Sequence, residues 1–116
     1  MGLDMYLEEE KFSSITLHIA YWRKANQIMK WFTMLPDWKE DEQEVQVNGE
    51  KLQELVETCK EVLQDHKKAE KLLPTMEGFF FGGVEYDEYY FNCLEHTIKQ
   101  LESIEANTWY TFSASW

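Results

Sequence analysis

Arg23 and Asn26 lie three residues apart in an aromatic segment that also contains Trp22 and Trp31. An arginine guanidinium can bind a phosphate or a carboxylate through two parallel hydrogen bonds. An asparagine amide can hydrogen-bond another amide or a base edge, and an indole ring can stack on a base. These residue types predict the rim of a pocket for an anionic or nucleotide-like ligand. The other interpretation is a solvated basic edge that offsets nearby carboxylates.

Tyr86, Asp87, Tyr89 and Tyr90 form a second candidate group, where the last long helix is expected to begin. A carboxylate at this position commonly caps the helix and interacts favourably with its dipole. Tyr86 and the Tyr89–Tyr90 pair fall on adjacent helical faces. At least one phenol is therefore expected to reach solvent or a pocket.

Arg23 is expected to pair with Asp87 or with Asp4. Such a pair could line a binding site, or it could be structural and hold the first and last helices together. If Arg23, Asn26, Asp87 and Tyr90 converge on an open cavity, a ligand site is favoured. If they are buried and paired with one another, they belong to the scaffold, and function moves to the acidic surface.

Gly82–Gly83, just before a predicted helix, invites comparison with a phosphate-binding loop. Neither G-x-G-x-x-G nor GK[ST] is present, and Glu85 and Asp87 place negative charge where a phosphate would lie. A simpler interpretation is that the glycines let Phe79–Phe81 turn inward without backbone strain.

Cys93 and His96 are spaced i, i+3, but two ligands are too few for a metal site and no further Cys or His is near in sequence. His18 and His66 are isolated and are expected to be ordinary residues. Cys59 and Cys93 are expected to be reduced thiols in or near the core. No nucleophile elbow or Cys/His signature is present. We therefore predict no catalytic residue, metal or cofactor, although an unplaced pair of carboxylates could still do acid–base chemistry.

The net charge is −11, from 22 acidic and 11 basic side chains. A field of this sign repels nucleic acid and anionic membranes and attracts basic surfaces. The carboxylates are densest at residues 8–10, predicted as an exposed turn, and at 37–44, predicted as an exposed loop. The candidate acidic surface comprises Glu8, Glu9, Glu10, Glu40, Asp41, Glu42 and Glu44. It serves either solubility alone or competition for a basic groove on a partner.

The elements that must position these residues follow from hydrophobic periodicity. Alternation predicts strands at 2–7, 14–19 and 108–116, with a further short strand around 45–47. Spacings of three and four predict helices at 21–35, from 48 or 49 to about 66, and 85–105, with a further turn at 67–73. The apolar stripe of the first helix begins at Trp22. We expect one α+β domain over residues 1–116, with about three helices packed on a small antiparallel sheet that includes both termini.

The length and composition agree with that expectation. A chain of 116 residues with 44% hydrophobic side chains can bury a core without a metal or disulfide. Aromatic residues make up 16%, so some are expected to be exposed for recognition. The N-terminus lacks the features of a signal peptide, and no apolar run approaches the roughly 18 residues that cross a bilayer. We therefore expect a cytoplasmic protein.

Four segments resemble one protein family: MGLDMYL at 1–7, YWRKANQIMKWF at 21–32, GFFFGGVEYDEYY at 78–90 and ASW at 114–116. The family consists of small bacteriophage and prophage proteins that begin with MGLDMYL. The resemblance implies a phage product that acts inside a bacterium, but it supplies no chemistry. Members often have His where this chain has Met29, so any role of that His is lost here. The segment between the first two strands also looks short, which puts any role of that hairpin in doubt.

Two functions remain. The first is a non-enzymatic, anti-CRISPR-like inhibitor whose acidic surface competes for the basic nucleic-acid groove of a host defence or nucleic-acid-handling protein. The partner is then a protein, without direct contact to nucleic acid or membrane. The alternative is a small-molecule or nucleotide binder that uses an aromatic pocket with Arg23 and Asn26.

Overall fold

The computed structural model describes residues 2–12, 15–78 and 82–116. The strands are β1 (Asp4–Phe12), β2 (Ile15–Arg23), β3 (Glu44–Asn48) and β4 (Trp109–Ser115). The helices are α1 (Asn26–Thr33), α2 (Gly49–Gln64), α3 (Ala69–Leu72) and α4 (Glu88–Gln100), with a 3-10 turn at His66–Lys68. The α+β fold is confirmed, but the described residues form four α-helices and not three. The fourth, α3, is the single turn expected before Pro74.

The strands form one antiparallel sheet in the order β2-β1-β4-β3. Both terminal strands belong to this sheet, as predicted, and they are neighbours in it. β1 pairs with β4 only over Asp4–Glu8, whereas it pairs with β2 as far as Phe12. The β1–β2 hairpin therefore continues beyond the rest of the sheet as a two-stranded ribbon.

Glu8–Glu10 were predicted to form an exposed turn, and this was wrong. All three lie inside β1, opposite His18, Leu17 and Thr16 of β2. Glutamate has little preference for strands, but pairing with a neighbouring strand decides the outcome more strongly than propensity does. The hairpin is consequently longer than the sequence indicated, and its carboxylates have fixed positions.

The helix predicted over residues 21–35 begins only at Asn26. Tyr21–Arg23 belongs to β2, and Lys24 then adopts a left-handed conformation with φ of 54°. Trp22 is 2% exposed because it points to the core face of the sheet, opposite Met5. In the sequence, an apolar side chain at this position fits a helical stripe equally well, so the predicted start of the helix was placed too early.

The helices cover one face of the sheet and enclose the core. α2 follows the prediction closely: Asn48 caps it by accepting a hydrogen bond from the Lys51 amide at 2.9 Å, and its apolar stripe is buried. α4 is shorter than the predicted 85–105, although Leu101 and Ile104 beyond its end are still buried. No described helix is long and apolar enough to cross a membrane.

The two cysteines are free, Cys59 buried and Cys93 partly buried, as expected. The described part of β2 begins at Ile15. The predicted strand start at Ser14 and the expected inward turn of Phe79–Phe81 lie outside the described residues.

Candidate functional site

Asn26 is the first residue of α1 and is 2% exposed. Its side-chain Nδ2 donates to the carbonyl of Gly83 at 2.8 Å, and its Oδ1 accepts from the amide of Met76 at 3.0 Å. The side chain thus satisfies backbone groups of the segment that leads into α4. This is a structural role, and a buried amide engaged in this way is costly to redirect toward a ligand.

Asp87 and Tyr90 also hold the start of α4 in place. Asp87 caps the helix, as predicted, by accepting from the amide of Tyr90 at 3.1 Å. The hydroxyl of Tyr90 donates to the carbonyl of Leu73 at 2.6 Å, and burial raises the pKa of this phenol. Tyr86 is 36% exposed, and its hydroxyl accepts from the amide of Thr75 at 3.2 Å. It is therefore one of the phenols that reach solvent, as expected.

Arg23 lies at the end of β2, with 57% of its side chain exposed. It pairs with Asp4, at 3.7 Å between Nη1 and Oδ1, and not with Asp87. Asp4 and Arg23 are cross-strand neighbours, so the pair joins β1 to β2. The expectation that this pair holds two helices together was wrong because Arg23 is in a strand.

Tyr21 completes this cluster. Its hydroxyl donates to Asp4 at 2.5 Å, and this hydrogen bond is the main cause of a raised pKa of the phenol. The carboxylate of Asp4 therefore interacts with both a phenol and a guanidinium.

The two candidate tryptophans do not form an open stacking platform. Trp22 is 2% exposed, and its Nε1 donates to Oγ1 of Thr97 at 2.8 Å. Trp31 is partly buried, with its ring edge-on to Phe32 at a centroid distance of 4.9 Å. Trp22 is a core residue, so it cannot stack on a base without unfolding of the surrounding structure.

A cavity of about 310 Å³ lies beside Asn26, Asp87 and Tyr90. This volume is near the lower limit for ligand pockets. Arg23 does not line the cavity. The side chains of Asn26 and Tyr90 bond to the backbone, and so does one carboxylate oxygen of the exposed Asp87. Asn26, Asp87 and Tyr90 therefore lie around one cavity, but they hold the backbone in place. This weakens the small-molecule alternative.

The face of the sheet that the helices leave uncovered carries a different set of side chains. Strand alternation places it opposite Leu3, Met5 and Leu7, which are fully buried. We call this the open sheet face. Its central and acidic members are Asp4, Tyr6, Glu8 and Glu10 of β1, His18, Tyr21 and Arg23 of β2, Glu44 and Gln46 of β3, and Trp109, Thr111 and Ser113 of β4.

Ring contacts across the strands confirm the placement of the aromatic members. The ring of Tyr6 lies 5.4 Å from that of Tyr21 and 6.4 Å from that of His18, between centroids. Trp109 is 62% exposed at the other end of the face. Aromatic side chains on a surface can supply the anchors of an interface. Tyr6, His18 and Trp109 were not among the predicted site residues, although the alternation of Asp4 and Tyr6 with their apolar neighbours indicates a second face of β1.

The predicted acidic residues divide between this face and its border. Glu8, Glu10 and Glu44 share the open sheet face, whereas Glu9 lies on the opposite side of β1. Glu44 and Tyr6 both pair with Ser113, so they are two strands apart, about 10 Å.

Glu40, Asp41 and Glu42 lie in the turn that precedes β3, and all three are exposed as predicted. The amide of Lys39 donates to the carbonyl of Glu44 at 2.9 Å, which closes the turn. The amide of Ala114 donates to the carbonyl of Gln43 at 3.0 Å, which fastens the turn to β4. The acidic turn is thus a fixed border of the open sheet face.

No protein-family model matches this sequence, and no curated protein and no solved structure is significantly similar to it. Within the described ranges, no group of three His, Cys, Asp or Glu side chains could hold a metal ion.

Proposed function

We propose that this chain is a non-enzymatic binding protein whose open sheet face contacts an arginine- and lysine-rich surface of a partner protein. The observation that carries the proposal is the convergence of Glu8, Glu10 and Glu44 on one face, bordered by the acidic turn at 40–42. The only cationic side chain among its named members is Arg23, which already pairs with Asp4.

The electrostatics favour a folded basic surface as the occupant. Glu8 and Glu10 alternate on one strand about 7 Å apart, within one screening length at physiological salt, and Glu44 lies about 12 Å from Glu8, two strands across and two residues along. Their fields therefore add, which accelerates encounter with a cationic groove and repels nucleic acid itself. Tyr6 and Trp109 would add apolar contact once water is excluded.

Grooves of this kind are typical of proteins that handle nucleic acid, because such grooves neutralise phosphates with Arg and Lys. Occupancy by a carboxylate-bearing face would exclude the natural ligand. The resemblance to phage proteins supports a host defence or nucleic-acid-handling protein, in the bacterial cytoplasm, as the target of such inhibition.

The experiment compares two triple variants that remove equal charge. The face variant is Glu8→Gln/Glu10→Gln/Glu44→Gln. The control variant, Glu61→Gln/Glu70→Gln/Glu95→Gln, removes three exposed carboxylates from the helical layer. Each protein is immobilised and exposed to bacterial lysate, and bound proteins are eluted with duplex DNA.

We expect the unmodified protein and the control variant to retain basic nucleic-acid-binding proteins that DNA displaces. The face variant is expected to lose them. Equal retention by the two variants, or retention that DNA does not reverse, would contradict the proposal.

A further inference from the structure

A second surface lies on the outer side of the helical layer. A groove of about 790 Å³ runs between α2 and the C-terminal end of α4. The half-buried Val56 and Ile98 and the buried Leu101 and Ile104 provide its apolar floor. This surface is separate from the open sheet face, because α2 and α4 pack on the other side of the sheet.

The rim of the groove is acidic. Glu50, Glu54 and Glu57 lie on one face of α2 at i, i+4 and i+7, and Glu102 follows α4 on the other side. Lys60 is the one basic side chain among the residues that line it. Like charges at these spacings destabilise a helix slightly, so a cationic partner would relieve a repulsion that is built into α2.

Intramolecular ion pairs leave these carboxylates available. Lys51 lies 3.1 Å from Glu54, and Lys60 lies 3.7 Å from Glu57, with every side chain involved at least 45% exposed. Exposed pairs of this kind contribute little and exchange readily with solvent or with another cation.

The length and charge of the groove select its occupant. From Glu50 to Lys60 the groove follows α2 for about 15 Å, which is the length of roughly three helical turns. A second copy of this chain would bring a net charge of −11 against an acidic rim, and nucleic acid would be repelled in the same way. An apolar floor between acidic borders is complementary to a helix with one apolar face flanked by lysines and arginines.

We propose that the groove between α2 and α4 binds a basic amphipathic helix of a partner protein. Leucine-sized side chains of that helix would contact Val56 and Ile98, and its cations would contact Glu54, Glu57 and Glu102. The protein would then have two docking surfaces, one on each side of the sheet.

The test uses a fluorescent helical peptide of about 14 residues, which is about 21 Å long. It carries leucines at i, i+3, i+4 and i+7 with lysines on both flanks. A scrambled peptide of the same composition lacks the apolar stripe. Anisotropy is measured at about 0.15 M salt with the full chain and three variants.

The rim variant is Glu54→Gln/Glu57→Gln/Glu102→Gln, the floor variant is Val56→Gln/Ile98→Gln, and the face variant described above is the control of equal charge. We expect the rim and floor variants each to weaken binding of the striped peptide by about tenfold or more, and the face variant by less than about threefold. The scrambled peptide is expected to bind at least about tenfold more weakly to the unmodified protein.

The proposal is overturned if the unmodified protein does not bind the striped peptide or binds the scrambled one equally well. It is also overturned if the face variant loses as much affinity as the rim variant. The rim substitutions are at exposed positions, so the rim variant remains informative even if the floor variant does not fold. Loss of lysate partners by the face variant is scored separately, so the two proposals can fail independently.

Discussion

At the scale of single residues, the three buried polar side chains in the described part of the chain, Asn26, Gln27 and Thr97, each hydrogen-bond a definite partner. Thr97 is fully buried, accepts a hydrogen bond from Nε1 of Trp22 at 2.8 Å and donates to the carbonyl of Cys93 at 2.8 Å. A buried indole N–H without an acceptor is costly, so this hydroxyl links β2 to α4. Thr97 lies on the inner side of α4 together with Tyr90 and Leu94. The link itself spans 75 residues of sequence, and no local pattern predicts it.

Replacing Thr97 by valine keeps the shape of the side chain but removes the acceptor of the Trp22 N–H. We expect Thr97→Val to lower the free energy of unfolding by about 1–3 kcal/mol. Thr97→Ser keeps the hydroxyl and loses one methyl group, so it is expected to cost about 1 kcal/mol. Urea unfolding of the three proteins measures both changes. A valine variant at least as stable as the serine variant would argue against the hydrogen bond.

The pH dependence of stability provides a second test at this scale. Burial raises the pKa of the Cys59 thiol from 9.0 to about 12. Desolvation also raises the pKa of the Tyr89 phenol, from 10.0 to about 12, although this residue is 54% exposed. Between these values the unfolded chain has lost protons that the folded protein keeps. Stability therefore falls as the pH rises through this window.

The thiol of Cys59 should dominate just above pH 9, with a slope of up to about 1.4 kcal/mol per pH unit. Urea unfolding at several pH values measures this slope. Cys59→Ala is expected to reduce the slope between about pH 9 and 10. A smaller slope should remain because burial also raises the pKa of the Cys93 thiol. An unchanged slope in the alanine variant would show that the thiol is accessible in the folded state.

At the scale of elements, the prediction was right where one hydrophobic period dominated the sequence and a capping residue marked the start of the helix. α2 combines a clear apolar stripe with the Asn48 cap, and its predicted start was right. The predicted boundary between β2 and α1 was wrong because Trp22 fits either a helical apolar stripe or an alternating strand. The predicted length of β1 was too short because pairing with β2, and not glutamate propensity, determines that residues 8–10 form a strand.

The entry to α2 depends on a close approach that sequence did not indicate. The amide of Gly49 donates to the carbonyl of Thr108 at 2.8 Å, and the amide of Glu50 donates to the carbonyl of Ala106 at 3.1 Å. A Cβ atom on Gly49 would lie 1.8 Å from the carbonyl oxygen of Glu105. The backbone of the α4–β4 connection therefore requires glycine at this position.

Gly49→Ala is expected to destabilise the protein by about 2 kcal/mol or more, because backbone must move to make room. Gly83→Ala is the matched control: its Cβ would meet the end of the Glu85 side chain at 2.5 Å, which can rotate away. Thermal unfolding followed by circular dichroism compares the two. If both variants lose the same stability, the close packing at Gly49 is not what holds this connection.

At the scale of the whole molecule, the fold separates the recognisable motif residues from the charged surface. Asn26, Asp87 and Tyr90 organise the junction of α1, α3 and α4, whereas Arg23, which the sequence analysis considered together with them, lies apart in β2. The individual acidic residues were predicted as a candidate surface, but the grouping of Glu8, Glu10 and Glu44 on one face of the sheet was not. Whether Glu8 and Glu44 share a face depends on the β1–β4–β3 register, which is a tertiary property.

We propose that the open sheet face is the surface that binds basic partners. The most direct test of this proposal is a heteronuclear NMR titration of the labelled full chain with a peptide of alternating arginine and glycine. That peptide has no apolar stripe to engage the α2–α4 groove.

We predict that backbone amide shifts change in β1, β3, β4 and the turn at 39–44, that the changes disappear at high salt, and that the Glu8→Gln/Glu10→Gln/Glu44→Gln variant suppresses them. Shift changes confined to α2 and α4, or changes that this variant leaves intact, would contradict the account.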